Sequence, residues 1–159
     1  MTIQTLPELA QHAFVGDEFR PQHIEKLKAL AREVRFAPDQ IIFREGEEFS
    51  DFYLIVSGRV GLEMQAPGRA LRVQTLSAGD ELGWSALLMG SGKHFQARAL
   101  GPVEALAFDG GELLQACKED TSFGYALMHR LLAVVAERLQ ATRLQVIDSY
   151  SVVAKRAGA

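Results

Sequence analysis

Between Val34 and Phe108 the apolar residues come in short runs, and polar turn residues separate them: Val34 to Phe36, Ile41 to Phe43, Phe52 to Val56, Val60 to Met64, Leu71 to Leu76 and Val103 to Phe108. Runs this short, punctuated by glycine, predict strands that close into a roll or barrel. Gly46, Gly58, Gly68, Gly79 and Gly101 fall where tight turns call for a left-handed residue or a close backbone approach. On either side of this region the period changes. Leu6, Leu9, Ala10 and Phe14 recur at helical spacing, and a second helix from Pro21 puts Ile24, Leu27, Leu30 and Ala31 on one stripe. From Ser122 to Ser149 a long helix is predicted, because Met128, Leu132, Val135, Leu139, Thr142 and Val146 keep a 4-3-4-3-4 spacing. Leu127, Leu131 and Val134 form a second stripe facing another way, so the helix has two apolar surfaces to bury. One suits the chain's own roll and the other a second copy, and a homodimer is the expectation. The tail from Val152 to Ala159 is expected to fray.

The pattern gives a mainly β fold with α: a roll or barrel of short strands, with N-terminal helices and a long C-terminal helix. One domain is expected over 1–159, with helices over 1–31, the roll over 32–110 and C-terminal helices over 111–151. Hydrophobic residues at 48% and charged residues at 23% are those of an ordinary globular chain. A formal net charge of -3 lacks the basic footprint of a nucleic-acid surface, so no direct nucleic-acid contact is expected. The only cysteine, Cys117, can form no intrachain disulfide, and the longest apolar run, Leu131 to Ala136, is too short to span a bilayer. A cytoplasmic protein without a membrane segment is the expectation.

Three stretches carry a resemblance. Arg44-Glu45-Gly46-Glu47-Glu48-Phe49-Ser50-Asp51-Phe52-Tyr53-Leu54-Ile55-Val56-Ser57-Gly58-Arg59-Val60 resembles the signature hairpin of cyclic-nucleotide-binding domains, a Gly-anchored turn entering an aromatic-aliphatic strand that ends in Ser-Gly. Gly79-Asp80-Glu81-Leu82-Gly83-Trp84-Ser85-Ala86-Leu87-Leu88, followed by Ala97-Arg98-Ala99-Leu100, is similar to the family's phosphate-binding cassette and the strand after it. Ala136-Glu137-Arg138-Leu139-Gln140-Ala141-Thr142 resembles the long helix of the catabolite activator type. Together these cover nearly the whole chain, in the order of the sensor half of Crp/Fnr regulators, and the resemblance implies a β-roll of the double-stranded β-helix or jelly-roll kind with N-terminal helices and a long C-terminal dimerisation helix.

The resemblance implies a ligand site in the cassette, residues 79–100, at Gly83, Trp84, Ser85 and Ala86, with Lys93 and His94 beyond them. A Gly-containing turn opening a short helix offers backbone N–H groups to an anion. In nucleotide-binding members a Glu follows the second Gly and takes the ribose hydroxyl, and an Arg-Ser/Thr-Ala run takes the phosphate. Here Trp84 stands at the Glu position and Lys93, His94 and Phe95 at the others. Lys93 keeps a charge without the planar fork of Arg, and a lost ribose acceptor costs about 1–3 kcal/mol. The resemblance also implies that Thr142, with Arg143 beside it, reaches a ligand base across the dimer; otherwise Thr142 is a polar seam residue fixing register. Arg98 is expected to support its strand or pair with an acid.

The four histidines have no metal spacing, one cysteine cannot hold an iron–sulfur cluster, and no nucleophile elbow or Walker loop is present. The expected function is therefore a non-enzymatic sensor module that binds a small anionic ligand, cyclic AMP or cyclic GMP being the family's, and signals through its dimer helix. The helix-turn-helix that follows this helix in related regulators has no counterpart in the roughly ten residues left, so either a separate effector protein reads the state or the chain is a fragment of a longer regulator. The alternative is a ligand-blind dimerisation or docking scaffold in which Trp84 and Phe95 fill the pocket.

Overall fold

A computed structural model describes residues 6–47, 51–87 and 95–158. Among the described residues eight strands form two four-stranded antiparallel sheets: β1 (Arg32–Phe36), β2 (Ile41–Phe43), β3 (Asp51–Ser57), β4 (Val60–Ala66), β5 (Arg69–Leu76), β6 (Glu81–Leu82), β7 (Gln96–Ala99) and β8 (Val103–Asp109). One sheet runs β1-β8-β3-β6 and the other β2-β7-β4-β5. Three α-helices accompany them: α1 (Pro21–Leu30), α2 (Gly110–Glu119) and α3 (Thr121–Ala157). This is the β-roll read from the sequence, with all six predicted strands present.

Alternation along β3 explains why its sequence reads as an unbroken apolar run. Phe52 and Leu54 face a cluster shared with the helices, which contains Phe14, Phe108, Leu113, Phe123 and Leu127. Tyr53 and Ile55 face the interior of the roll, among Phe43, Val60, Leu62, Leu82 and Val103. Both faces of this strand are buried, so no polar position interrupts it. The Leu127, Leu131 and Val134 stripe of α3 is buried in the helix-side cluster.

Two sequence expectations change. Leu6 to Phe14 does not make one α-helix: a 3-10 turn covers Leu6–Gln11 and another Gly16–Glu18. The break has a local cause, since His12 Nδ1 accepts the Phe14 N–H at 3.1 Å while its Nε2 donates to the Ile55 carbonyl at 2.9 Å. Those two bonds need a neutral ring, and burial pushes the His12 pKa down. The tail, expected to fray from Val152, is helical through Ala157, with Lys155 and Arg156 in the last turn, where cations complement the helix dipole.

Gly58 has φ 92, and a Cβ there would overlap the Pro102 carbonyl oxygen. Gly101 meets neither requirement predicted for it, having neither a left-handed φ nor a close neighbour. Replacing Gly58 by Ala is expected to cost about 1–3 kcal/mol in backbone strain, with the overlap added. Urea unfolding would show this as a lower midpoint at unchanged slope.

α2 and α3 meet at Asp120, whose carboxylate accepts the Phe123 N–H at 3.2 Å and caps α3. Lys26 pairs with the same carboxylate at 3.2 Å. That backbone bond, helped by Lys26, holds the Asp120 pKa below its ordinary range. α3 has 37 residues without interruption at Thr142. At 1.5 Å per residue it is roughly 55 Å long. Its last buried residue is Val134, and every residue over 139–158 is exposed.

Candidate functional site

The turn between β6 and the following segment carries the cassette. Gly83 has φ 82, which lets the chain reverse, and Trp84–Leu87 then form a single 3-10 turn. Only four residues long, this turn lends less dipole than an α-helix, and its Ala86 N–H is used within the turn, donating to the Gly83 carbonyl at 2.9 Å. Ser85 is buried, while Trp84 and Ala86 are half-buried and pack against the helix-side cluster. Lys93 and His94 lie outside the described residues.

The space that the cassette encloses inside the roll is small. A cavity of about 20 Å³ is bounded by Phe43, Leu62, Leu82, Trp84, Phe95 and Arg138, with Gly83 and Ser85 closing it. That is about the room of one water. Drug-sized ligands occupy roughly 300 Å³ or more.

Arg138 ties α3 to the cassette. Its guanidinium donates to the main-chain carbonyl of Glu81 at 2.6 Å and also to the Glu81 carboxylate. Glu81 is 5% exposed, and burial pushes its pKa up against the opposing charge of Arg138. The pairing was not legible beforehand, although Arg138 stands in the helix motif and Glu81 in the cassette motif. Thr142 donates its hydroxyl to the Arg138 carbonyl at 2.9 Å, so its own helix satisfies it. Thr142 and Arg143 are exposed and line no part of the cavity within one chain; α3 contributes only Arg138.

Across the roll, Arg98 does pair with an acid. Its Nε donates to Glu63 at 3.1 Å, and Gln96 donates to the same carboxylate oxygen at 3.0 Å. Burial raises the Glu63 pKa, but the hydrogen bonds from Gln96 and Arg98 outweigh it and hold the carboxyl below its ordinary range. This network spans β4 and β7 and braces the sheet.

The described residues thus present a Gly-hinged turn, a small cavity lined largely by aromatic and aliphatic side chains, and an arginine reaching in from the long helix. The family model of the cyclic nucleotide-binding domain matches residues 33–120. The chain belongs to this family. Its fold is that of a cyclic nucleotide-binding domain from Methylobacillus flagellatus, with a TM-score of 0.83 at 16% identity, over 92% of this chain and 84% of that one. The N-terminal domain of a Streptomyces coelicolor transcriptional regulator superposes with a TM-score of 0.67 at 22% identity, over 84% and 94%. The catabolite activator protein of Thermus thermophilus gives 0.70 at 22%, over 84% of this chain and 61% of its own. No curated protein matches the chain in sequence. The helix arginine pairs with Glu81, three residues before Trp84. Among the described residues no group of three or more His, Cys, Asp or Glu is placed to hold a metal ion, and no helix is long and apolar enough to cross a membrane.

Proposed function

We propose that this member of the family is a non-enzymatic, cytoplasmic regulatory module whose roll is filled by its own side chains. It acts by pairing with a second copy along α3, where a separate effector protein reads the pair. The observation that carries the reading is the cavity of about 20 Å³ behind the cassette, set beside a seam that stays exposed: Met128, Leu132, Val135, Leu139 and Val146 are 36–67% accessible in the single chain. A chain with so little room behind its cassette turn and a heptad stripe left open is suited to associate rather than to hold a nucleotide inside its roll. Arg138 gives the pairing helix a fixed seat on the roll.

A second reading keeps the sensor. It is favoured by the left-handed turn at Gly83 and by a guanidinium at the cavity wall, both suited to a small anion. On that reading a ligand at Gly83, Trp84, Ser85 and Ala86, with Lys93 and His94, displaces Phe95 and draws Arg138 from Glu81, and Thr142 and Arg143 meet the ligand of the second copy.

Thermal melting separates the two. With cyclic AMP, cyclic GMP, cyclic dinucleotides, nucleotides or simple anions, the filled roll predicts an unchanged midpoint and unmoved Trp84 fluorescence. A ligand present at 100 times its dissociation constant adds about 2.7 kcal/mol, a rise of roughly 5–10 °C for a chain of this size. A rise of that kind would overturn the filled roll in favour of the sensor.

A further inference from the structure

A groove of about 370 Å³ lies between α2 and α3, with Leu114, Cys117 and Lys118 on the α2 side and Thr121, Gly124, Tyr125 and Met128 on the α3 side. Gly124 forms its floor: a Cβ there would sit 2.8 Å from the Cys117 carbonyl oxygen, so the helices approach closely beneath an open trough. The groove is apolar and opens on the face of α3 that carries the seam, since Met128 belongs to both.

We infer that Tyr125 of each copy seats in the α2–α3 groove of a second, parallel copy in the same register, which places Cys117 inside the pair. The inference rests on the α3 pairing proposed above and specifies its anchor. Continued toward the N-terminus, the 4-3 spacing from Leu132 and Met128 makes Tyr125 an a position and Thr121 a d position. In a parallel coiled coil an a-position knob enters a hole of four partner residues: the preceding d and g, the equivalent a and the following d. For Tyr125 those are Thr121, Gly124, Tyr125 and Met128, the same four α3 residues that line the groove. An antiparallel partner brings residues from the far end of α3 to this place and loses the match.

The knob is ready for such a hole. Tyr125 is 73% exposed, and its ring stacks on His129 with centroids 5.7 Å apart and planes 17° from parallel, which fixes its direction. The occupant is a second copy because knob and groove share one stretch of one helix, so a two-fold axis along α3 fills both grooves at once. The area points the same way. A stable pair needs roughly 800 Å² per partner. The seam has polar residues at Thr142 and Ser149, and a buried tyrosine adds about 150–250 Å² where α2 widens the contact.

The test uses the full chain, its self-association constant and the rate at which N-ethylmaleimide alkylates Cys117, the only cysteine. In the native pair Cys117 should react more slowly at high protein concentration than on dilution. Tyr125→Ala should raise the dissociation constant by about 30-fold or more, the scale of an aromatic hot spot, and make alkylation independent of concentration. Tyr125→Phe should keep both pairing and protection, and unchanged circular dichroism of both variants shows that the fold is intact. If the native chain pairs but Tyr125→Ala pairs equally well, or if Cys117 reacts at one rate at every concentration, the anchor is wrong and the α3 pairing stands. A native chain that stays monomeric overturns the pairing itself.

Discussion

Changing Leu132 and Leu139 together to Gln is expected to give a folded chain that no longer pairs. The two side chains are 67% and 52% exposed in the single chain, so neither supports its own roll, and a melting scan of the dilute protein should barely move. In a two-fold pair the change removes four leucines from the interface. At about 1.5 kcal/mol or more for each buried leucine, the dissociation constant rises by about ten-thousandfold or more. Light scattering on the column eluate reads this directly. The same double change at Leu127 and Leu131 would instead unfold the chain, because those residues are buried against the roll.

Arg138→Ala should be the most costly single change near the cassette. It leaves Glu81, 5% exposed, without its cation, and breaking a buried pair in this way costs about 3–5 kcal/mol when the remaining group stays charged. Glu81 has an escape in taking up a proton, so the cost should depend on pH. Burial already raises its folded pKa above the unfolded value, and the charge of Arg138 works against that rise. A group with a raised folded pKa contributes stability that is complete below its unfolded pKa and is lost as pH rises through the folded one. Without Arg138 the folded value climbs further and the loss extends to higher pH. Urea midpoints of Arg138→Ala and the native chain should therefore lie close together in acid and separate in mild alkali. Glu81→Gln in the same background should remove the pH dependence. Equal separation at every pH would contradict the role given to Glu81.

How far the sequence carries can be judged from individual elements. All six apolar runs became strands; β3, β4 and β8 bury most of their residues, whereas β1 buries none fully and β5 only Leu76, so there the apolar run reports partial burial. β6 escaped, since Glu81–Leu82 is too short to show a period and one of its two residues is charged. β7, with the sequence Gln-Ala-Arg-Ala, has little apolar bulk and was placed only by resemblance. At the N-terminus Leu6, Leu9, Ala10 and Phe14 have helical spacing, yet the helix stops as a 3-10 turn at Gln11, because His12 captures a backbone N–H that a longer helix needs. At the site, the Gly83 turn was legible from glycine alone. The Glu81–Arg138 pair was not, because its partners stand 57 residues apart and meet only when α3 folds back over the roll. Phe43, Leu62 and Leu82 are not legible as cavity walls for the same reason: apolar residues announce burial without saying what they enclose.

Sedimentation equilibrium of the unmodified chain, from low micromolar to sub-millimolar concentration, tests the central claim most directly. The account predicts a single reversible monomer–dimer equilibrium, dimeric at the upper end with no ligand added. A species of monomer mass across the whole range, or a dimer that forms only when a cyclic nucleotide is present, would contradict it.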